Sequence, residues 1–271
     1  NYARYVPGAS TVANTQQRRP NQDFGEVTNA ISGSNSSYNG LQVSAERRAT
    51  KTLSLNVNYT WSKSIDEYSS DVSPGQSTPI IPTSLSANRG LSDFDLTNRF
   101  VASYVWNLPM LQGSRSLLRN SLGGWETTGI VTLQSGFPFS VLSGVDNSRS
   151  GDGIDYADLV GNPDLSTSRS TGQLIREYFN TAAFAPNALG TFGTAPRNLL
   201  RGPDYADFDF GLMKNFLITE KAALQFRAEF FNLFNRPNFG NPSGSLNSRA
   251  FGTITSAGSP RIIQFALKVT F

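Results

Sequence analysis

The closing stretch, 261-RIIQFALKVTF-271, decides how the rest of the chain is read. Ile263, Phe265, Leu267, Val269 and Phe271 take every second position, with Ile262, Gln264, Ala266, Lys268 and Thr270 between them. Successive side chains of a strand point to opposite faces, so this period predicts a strand with one face in an apolar medium and the other in a polar one. A protein core would satisfy the apolar face, and so would lipid.

The same period recurs upstream. In 51-KTLSLNVNYTWSKS-64, Leu53, Leu55, Val57, Tyr59 and Trp61 share a face, and Ser54, Asn56, Asn58 and Thr60 share the other. In 94-FDLTNRFVASYVWNLP-109, Phe94, Leu96, Phe100, Ala102, Tyr104 and Trp106 alternate with Asp95, Thr97, Arg99 and Ser103. In 123-GGWETTGIVTLQSGFPFSV-141, one face carries Trp125, Thr127, Gly129, Val131, Leu133, Phe137 and Phe139. The segments 206-ADFDFGLMKNF-216, 223-ALQFRAEFFNLF-234 and 38-YNGLQVSAERRAT-50 follow the rule, and 24-FGEVTNAIS-32 follows it weakly. This predicts seven or eight strands.

Only 38% of the 271 residues are hydrophobic, yet 11% are aromatic, and no run is long enough for a transmembrane helix. Membrane strands leave no such run, because half of each strand faces water or protein. The net charge is only +3 and no dense Lys/Arg block is present, which argues against nucleic acid as a partner. With no Cys and no His, disulfides, thiolate sites, the usual general base and the commonest zinc ligand are all missing. No Ser–His pair can form, and no phosphate-binding glycine loop stands at a strand-to-helix junction. The expectation is a protein without catalytic residues, cofactor or metal, and no enzyme. The start at Asn1, with neither Met nor signal peptide, reads as part of something longer.

Connections alternate short and long. RRATK and TEKA are tight and PMLQGSRSLLRN is moderate, whereas residues 67–93, 143–205 and 235–258 are long. A soluble β-sandwich has no reason to gather long loops at one end, but an outer-membrane barrel does, with short periplasmic turns and long outer loops. The domain reading is a loop segment at 1–21 and a barrel portion at 22–271. In that topology Tyr59 and Trp61 lie near an outer strand end and Tyr104, Trp106 and Trp125 near inner ends, where interfacial aromatics belong. Phe137 and Phe139 return to the outer side. Arg47 and Lys214 fall on the lipid face towards inner strand ends, from which a long side chain can snorkel. The fold class is therefore all-β: an antiparallel up-and-down transmembrane β-barrel, partial at seven or eight strands.

The final strand resembles the C-terminal assembly signal of bacterial outer-membrane barrels. By that resemblance Gln264 takes the polar place, Phe265, Leu267 and Val269 the alternating apolar places, and Phe271 the end; Ala266 stands where Gly is usual. The implied partner is the barrel-assembly machinery, reached by strand addition at a sheet edge. From about Arg18 onward the chain also resembles the barrel of TonB-dependent receptors, closest to the Oar-like group. The resemblance rests on SYNGLQVSAERR, LNVNYTWSKSID, SDFDLTNRFVASYVWNLP, GGWETTGIVTLQSGFPFSV, FNTAAFAP, GTFGTAPRNLLRGP and AEFFNLFNRPNFG in that order. It implies a barrel of about 22 strands with a plug and a TonB box, of which this sequence would be the C-terminal third. It further implies a bacterial cell outer membrane, surrounding lipid, TonB acting through the remaining part, and a small-molecule or oligosaccharide ligand.

Asp207, Asp209, Arg227 and Glu229 are candidate lumen-facing charges, read either as ligand or plug contacts or as wall residues paired with one another. In 146-DNSRSGDGIDYAD-158 the spacing of acids, Ser and Gly is that of a calcium loop, but Ala157 occupies the twelfth position, and a solvated Asp/Gly turn is the competing reading. A short helix is expected at about Gly172 to Tyr178, with Phe179 and Phe184 packing the long loop down. The expected function is import of a siderophore, cobalamin or oligosaccharide; a surface adhesin and a passive porin are the alternatives.

Overall fold

The computed structural model describes residues 1–27, 31–49, 52–69, 79–108, 123–166, 168–219 and 222–271. Seven long strands form one antiparallel meander: β1 (Ser36–Ala49), β2 (Leu53–Asp66), β3 (Asn98–Asn107), β4 (Trp125–Gln134), β5 (Tyr205–Leu217), β6 (Ala223–Phe231) and β7 (Ile262–Thr270). Each pairs with its neighbours in chain order, and the pair Gly90–Leu91 adds to the end of β2. Among the described residues β1 and β7 are edges, so the barrel is not closed.

The alternation seen in the sequence fixes the register, because a one-residue slip would turn every apolar side chain to the polar face. Tyr59, Phe100, Leu133 and Ala206 pair in one row across four strands, and Val57, Ala102, Val131 and Phe208 form the next. The opposite face carries rows such as Asn56, Ser103, Ile130 and Asp209. Apolar-face side chains are not covered by another layer: Leu41 is 57% exposed, Trp61 51% and Leu267 69%. A sandwich would have buried them between sheets, which excludes that alternative among the described residues.

The core lies elsewhere. Val141, Ala157, Phe179, Ala183, Phe184, Ala195 and Leu200 make a buried cluster within the 135–204 connection. Phe179 stands at its centre, edge-on to Phe184 at 5.6 Å and to Phe251 at 5.3 Å. Phe251 belongs to the 232–261 connection, which is laced to the longer one by Leu142 N–H to the Gly244 carbonyl (2.8 Å) and Ile254 N–H to the Ile175 carbonyl (2.9 Å). The N-terminal segment joins at the Ala3 N–H, which donates to the Ser150 carbonyl. These connections and the described parts of 67–97 lie at the same end of the sheet and form one cap. The helix α1 (Thr171–Arg176) starts with a capping box in which Ser170 and Gln173 satisfy each other's backbone N–H.

Several sequence expectations shift at the boundary between sheet and cap. Phe94 and Leu96 are not in β3, because the buried Asp95 carboxylate draws this segment towards Arg201 before the ladder begins at Asn98. Phe139 is not a lipid-facing aromatic: Pro138–Phe139 pair with Leu200–Arg201, and the Phe139 ring packs 5.9 Å from Phe179. The turn out of β4 requires Gly136, where any Cβ would overlap the Gly202 carbonyl. The described parts of 24–32 form no strand, and residues 28–30 lie outside the described residues. So do 50–51 of RRATK, all of PMLQGSRSLLRN and 220–221 of TEKA.

Candidate functional site

Residues of the polar face line a hollow of about 350 Å³ spanning β2 to β6, so the sheet curves around this face. Ser54, Asn56, Ser103 and Thr128 supply hydroxyls and amides, and Asp209 and Glu229 supply carboxylates. The cross-strand register explains this meeting: Glu229 lies opposite Gly211, two residues from Asp209 on β5, and the missing side chain at Gly211 leaves room for the Thr128 hydroxyl, which a Cβ there would strike. Asp209 accepts the Asn232 N–H at 3.0 Å. Asp207 stands one row towards the cap, opposite Thr132, and Arg227 one row away from it, opposite Met213. Arg227 reaches Glu229 only at 3.9 Å, with both side chains partly exposed, a loose pair of little energetic weight. The four charges thus share a face, but only Asp209 and Glu229 line the hollow. Such a surface can hydrogen-bond a polyhydroxylated or polar solute; it holds no nucleophile–base pair.

Above the hollow the polar face is roofed. Ser62, Ser64 and Asp66 of β2 are buried beneath residues 91–97. The Ser64 hydroxyl meets that of Ser92 at 2.8 Å, and the Ser64 N–H donates to Asp95. Two arginines from the long connection fasten this roof. Arg197 pairs with Asp66 and with Asp93 at 2.9 Å, and Arg201 pairs with the fully buried Asp95. Burial would lower the Arg197 pKa, but Asp66 and Asp93 outweigh it and hold the guanidinium above its ordinary value. Sequence reading missed this latch. Its signal is the Arg197/Arg201 spacing between Pro196 and Pro203, with acids at the roots of another loop.

Asp146 and Asp155 of the turn at 146–158 are taken up by hydrogen bonds within the cap. Asp146 accepts the Ser150 and Gly151 N–H groups, and buried Asp155 accepts the Ser148 N–H at 2.7 Å and the Asn187 amide at 3.0 Å. Among the described residues no cluster of three acids is placed to hold a metal. The Asp152 carboxyl is pushed above the usual range, first by burial and then by the Glu26 and Asp146 carboxylates.

The interface aromatics occupy the apolar face. The Tyr59 hydroxyl donates to Asn98 Oδ1 at 2.7 Å, near the cap, and Trp61 beyond it is exposed. Towards the other end, Tyr104 lies over Gly129, where a Cβ would strike its ring. Trp106 is exposed, and Trp125 meets Phe226 edge-on at 6.2 Å. Lys214 does not stand free to snorkel: it is buried, with Nζ 5.0 Å from the Trp125 ring centre and 5.2 Å from that of Phe216. Arg47 is exposed. In β7, Gln264 lies opposite Glu229 on the polar face, while Phe265, Leu267 and Val269 lie opposite Ala228, Phe226 and Leu224. Phe271 extends past the strand, fully exposed.

A family model described as an outer membrane beta barrel domain matches residues 1–264. No curated protein and no solved structure matches the chain. The chain belongs to that outer-membrane β-barrel family, and its location is the bacterial outer membrane.

Proposed function

Proceeding from that membership, we propose that the chain is barrel wall and outer loops of a TonB-dependent receptor, importing a scarce nutrient of the siderophore, cobalamin or oligosaccharide class. The observation that carries this reading is the roof over the polar face. Arg197 and Arg201 hold loop segments across the cap end of β2, further along the polar face than a hollow lined with Val105, Ile130 and Phe231 as well as hydroxyls, an amide and two carboxylates. A passive pore is served by an open mouth; a receptor needs a mouth that recognises its cargo before passage. The ordered sequence resemblance to Oar-like receptors supports the same reading. Energy would come from TonB through a plug carried elsewhere in the polypeptide, and β7 would present its edge to the barrel-assembly machinery. In this reading the residues bind and guide and catalyse nothing.

The test is uptake in the native Gram-negative host. Deleting the gene should abolish accumulation of one labelled nutrient of these classes at limiting concentration, and deleting TonB should do the same. Uptake that survives loss of TonB would identify a porin. Unchanged uptake with lost surface attachment would identify an adhesin.

A further inference from the structure

A second hollow, of about 390 Å³, lies on the opposite face of the wall, at the cap end. Its floor is the cross-strand row Tyr59, Phe100, Leu133 and Ala206. Of the polar-face residues only Gln134 and Tyr205, paired at the strand ends, reach its edge, while Thr60, Arg99 and Thr132 do not line it, so the floor belongs to the apolar face. It therefore opens towards lipid, not towards the lumen. The small Ala206 side chain deepens the floor where a larger residue would fill it.

The cap supplies the rim. Residues 232–236 cross to this side because the Leu233 N–H donates to the Phe208 carbonyl at 2.7 Å and the Phe234 ring packs edge-on to Phe208 at 5.0 Å. Phe208 belongs to the apolar row next to the floor. This anchorage sets Arg236 over the hollow, exposed and with no ion pair or hydrogen bond from its guanidinium to the described residues. Asp204, the acid on the rim, is turned to backbone, accepting the Gly136 N–H at 3.2 Å. Asn98 uses its carbonyl oxygen for the Tyr59 hydroxyl, which leaves its amide nitrogen as a donor at the rim.

An apolar floor below a free guanidinium and an amide donor, at the outer end of a membrane wall, is matched to one kind of molecule. We infer that this groove binds a phosphate-bearing lipid of the outer leaflet, its acyl chain along the Phe100–Leu133–Ala206 row and its phosphate on Arg236. A guanidinium binds phosphate through paired N–H donors, stronger than neutral hydrogen bonds. A free phosphate ion would use the rim and ignore the floor; a neutral lipid would use the floor and leave Arg236 idle. The inference rests on the family and on the orientation of the wall, and stands whether or not the barrel imports a nutrient.

The experiment reconstitutes the delipidated full-length protein in phosphatidylethanolamine nanodiscs. These contain a glucosamine-based lipid in either phosphorylated or dephosphorylated form, and retained lipid is counted by native mass spectrometry. Wild type should retain the phosphorylated form over the other by about tenfold, the loss expected when one charge-assisted contact of about 1.4 kcal/mol is removed. Arg236→Gln should erase that preference, and Arg249→Gln, on an exposed residue of the same loop, should keep it. Equal retention of the two lipids by wild type would overturn the inference, as would undiminished preference in Arg236→Gln. Displacement of the lipid by millimolar inorganic phosphate would also overturn it, by showing a plain anion site.

Discussion

The aromatic rings of the wall and those of the cap face opposite solvents. On the wall, Trp61, Trp106 and Phe265 stand outward with no protein over them. In the cap, Phe139, Phe179, Phe184 and Phe251 point at one another and close a core. Polar groups are reversed to match: Asn56 and Ser54 of the wall are exposed on the lumen side, whereas Asp95, Ser92 and Asp155 of the cap are buried and hydrogen-bonded. The wall borrows its hydrophobic partner from the membrane. The cap, standing in water above the bilayer, must build its own.

That contrast can be broken selectively. The largest effect is expected from Arg201→Leu, which strands the buried Asp95 carboxylate. Removing one partner of such a pair costs about 3–5 kcal/mol, and limited proteolysis should show 91–97 and 196–203 opening while the strands of the wall stay uncut. Next comes Val57→Arg on the outward face, costing about 2–4 kcal/mol if that face lies in hydrocarbon. Its neighbour Asn56→Arg, directed to the lumen, should cost far less; denaturant titration in lipid vesicles compares the two. Ser170→Ala removes the capping box of α1 and should cost the cap about 1 kcal/mol, visible as faster hydrogen exchange at 171–176 with the wall unaffected.

The smallest effect is one of pH. Because the folded Asp152 pKa is raised, its contribution favours the cap below the usual carboxylate range and is lost as pH rises through the raised value. Asp152→Asn should therefore stabilise the cap at neutral pH and flatten its dependence on acid, as read from proteolysis rates at pH 4 and pH 7.

The wall was legible in the sequence because each of its residues answers to a period of two. From Leu53 to Trp61 the local pattern alone says which side chain faces which way, and the register follows. The cap was not, because its contacts join residues far apart in the chain. Nothing local at Phe139 says that its partner is Phe179, and nothing at Asp95 names Arg201. The strand ends failed for the same reason, since Phe94, Leu96 and Phe139 keep the alternation yet are claimed by the cap. In the candidate site, the shared face of Asp209 and Glu229 could be read from alternation, whereas the register that sets Gly211, with the Thr128 hydroxyl over it, opposite Glu229 could not.

The orientation of the wall is tested most directly with spin labels. The chain contains no Cys, so single substitutions at Val57, Ala102 and Val131, and at Asn56, Ser103 and Thr132, each carry one label. In membranes, labels of the first set should relax with dissolved oxygen and ignore a water-soluble nickel chelate, and the second set should do the reverse. If both sets met the chelate equally, or the first set met neither reagent, those side chains would not face lipid and the account would fail.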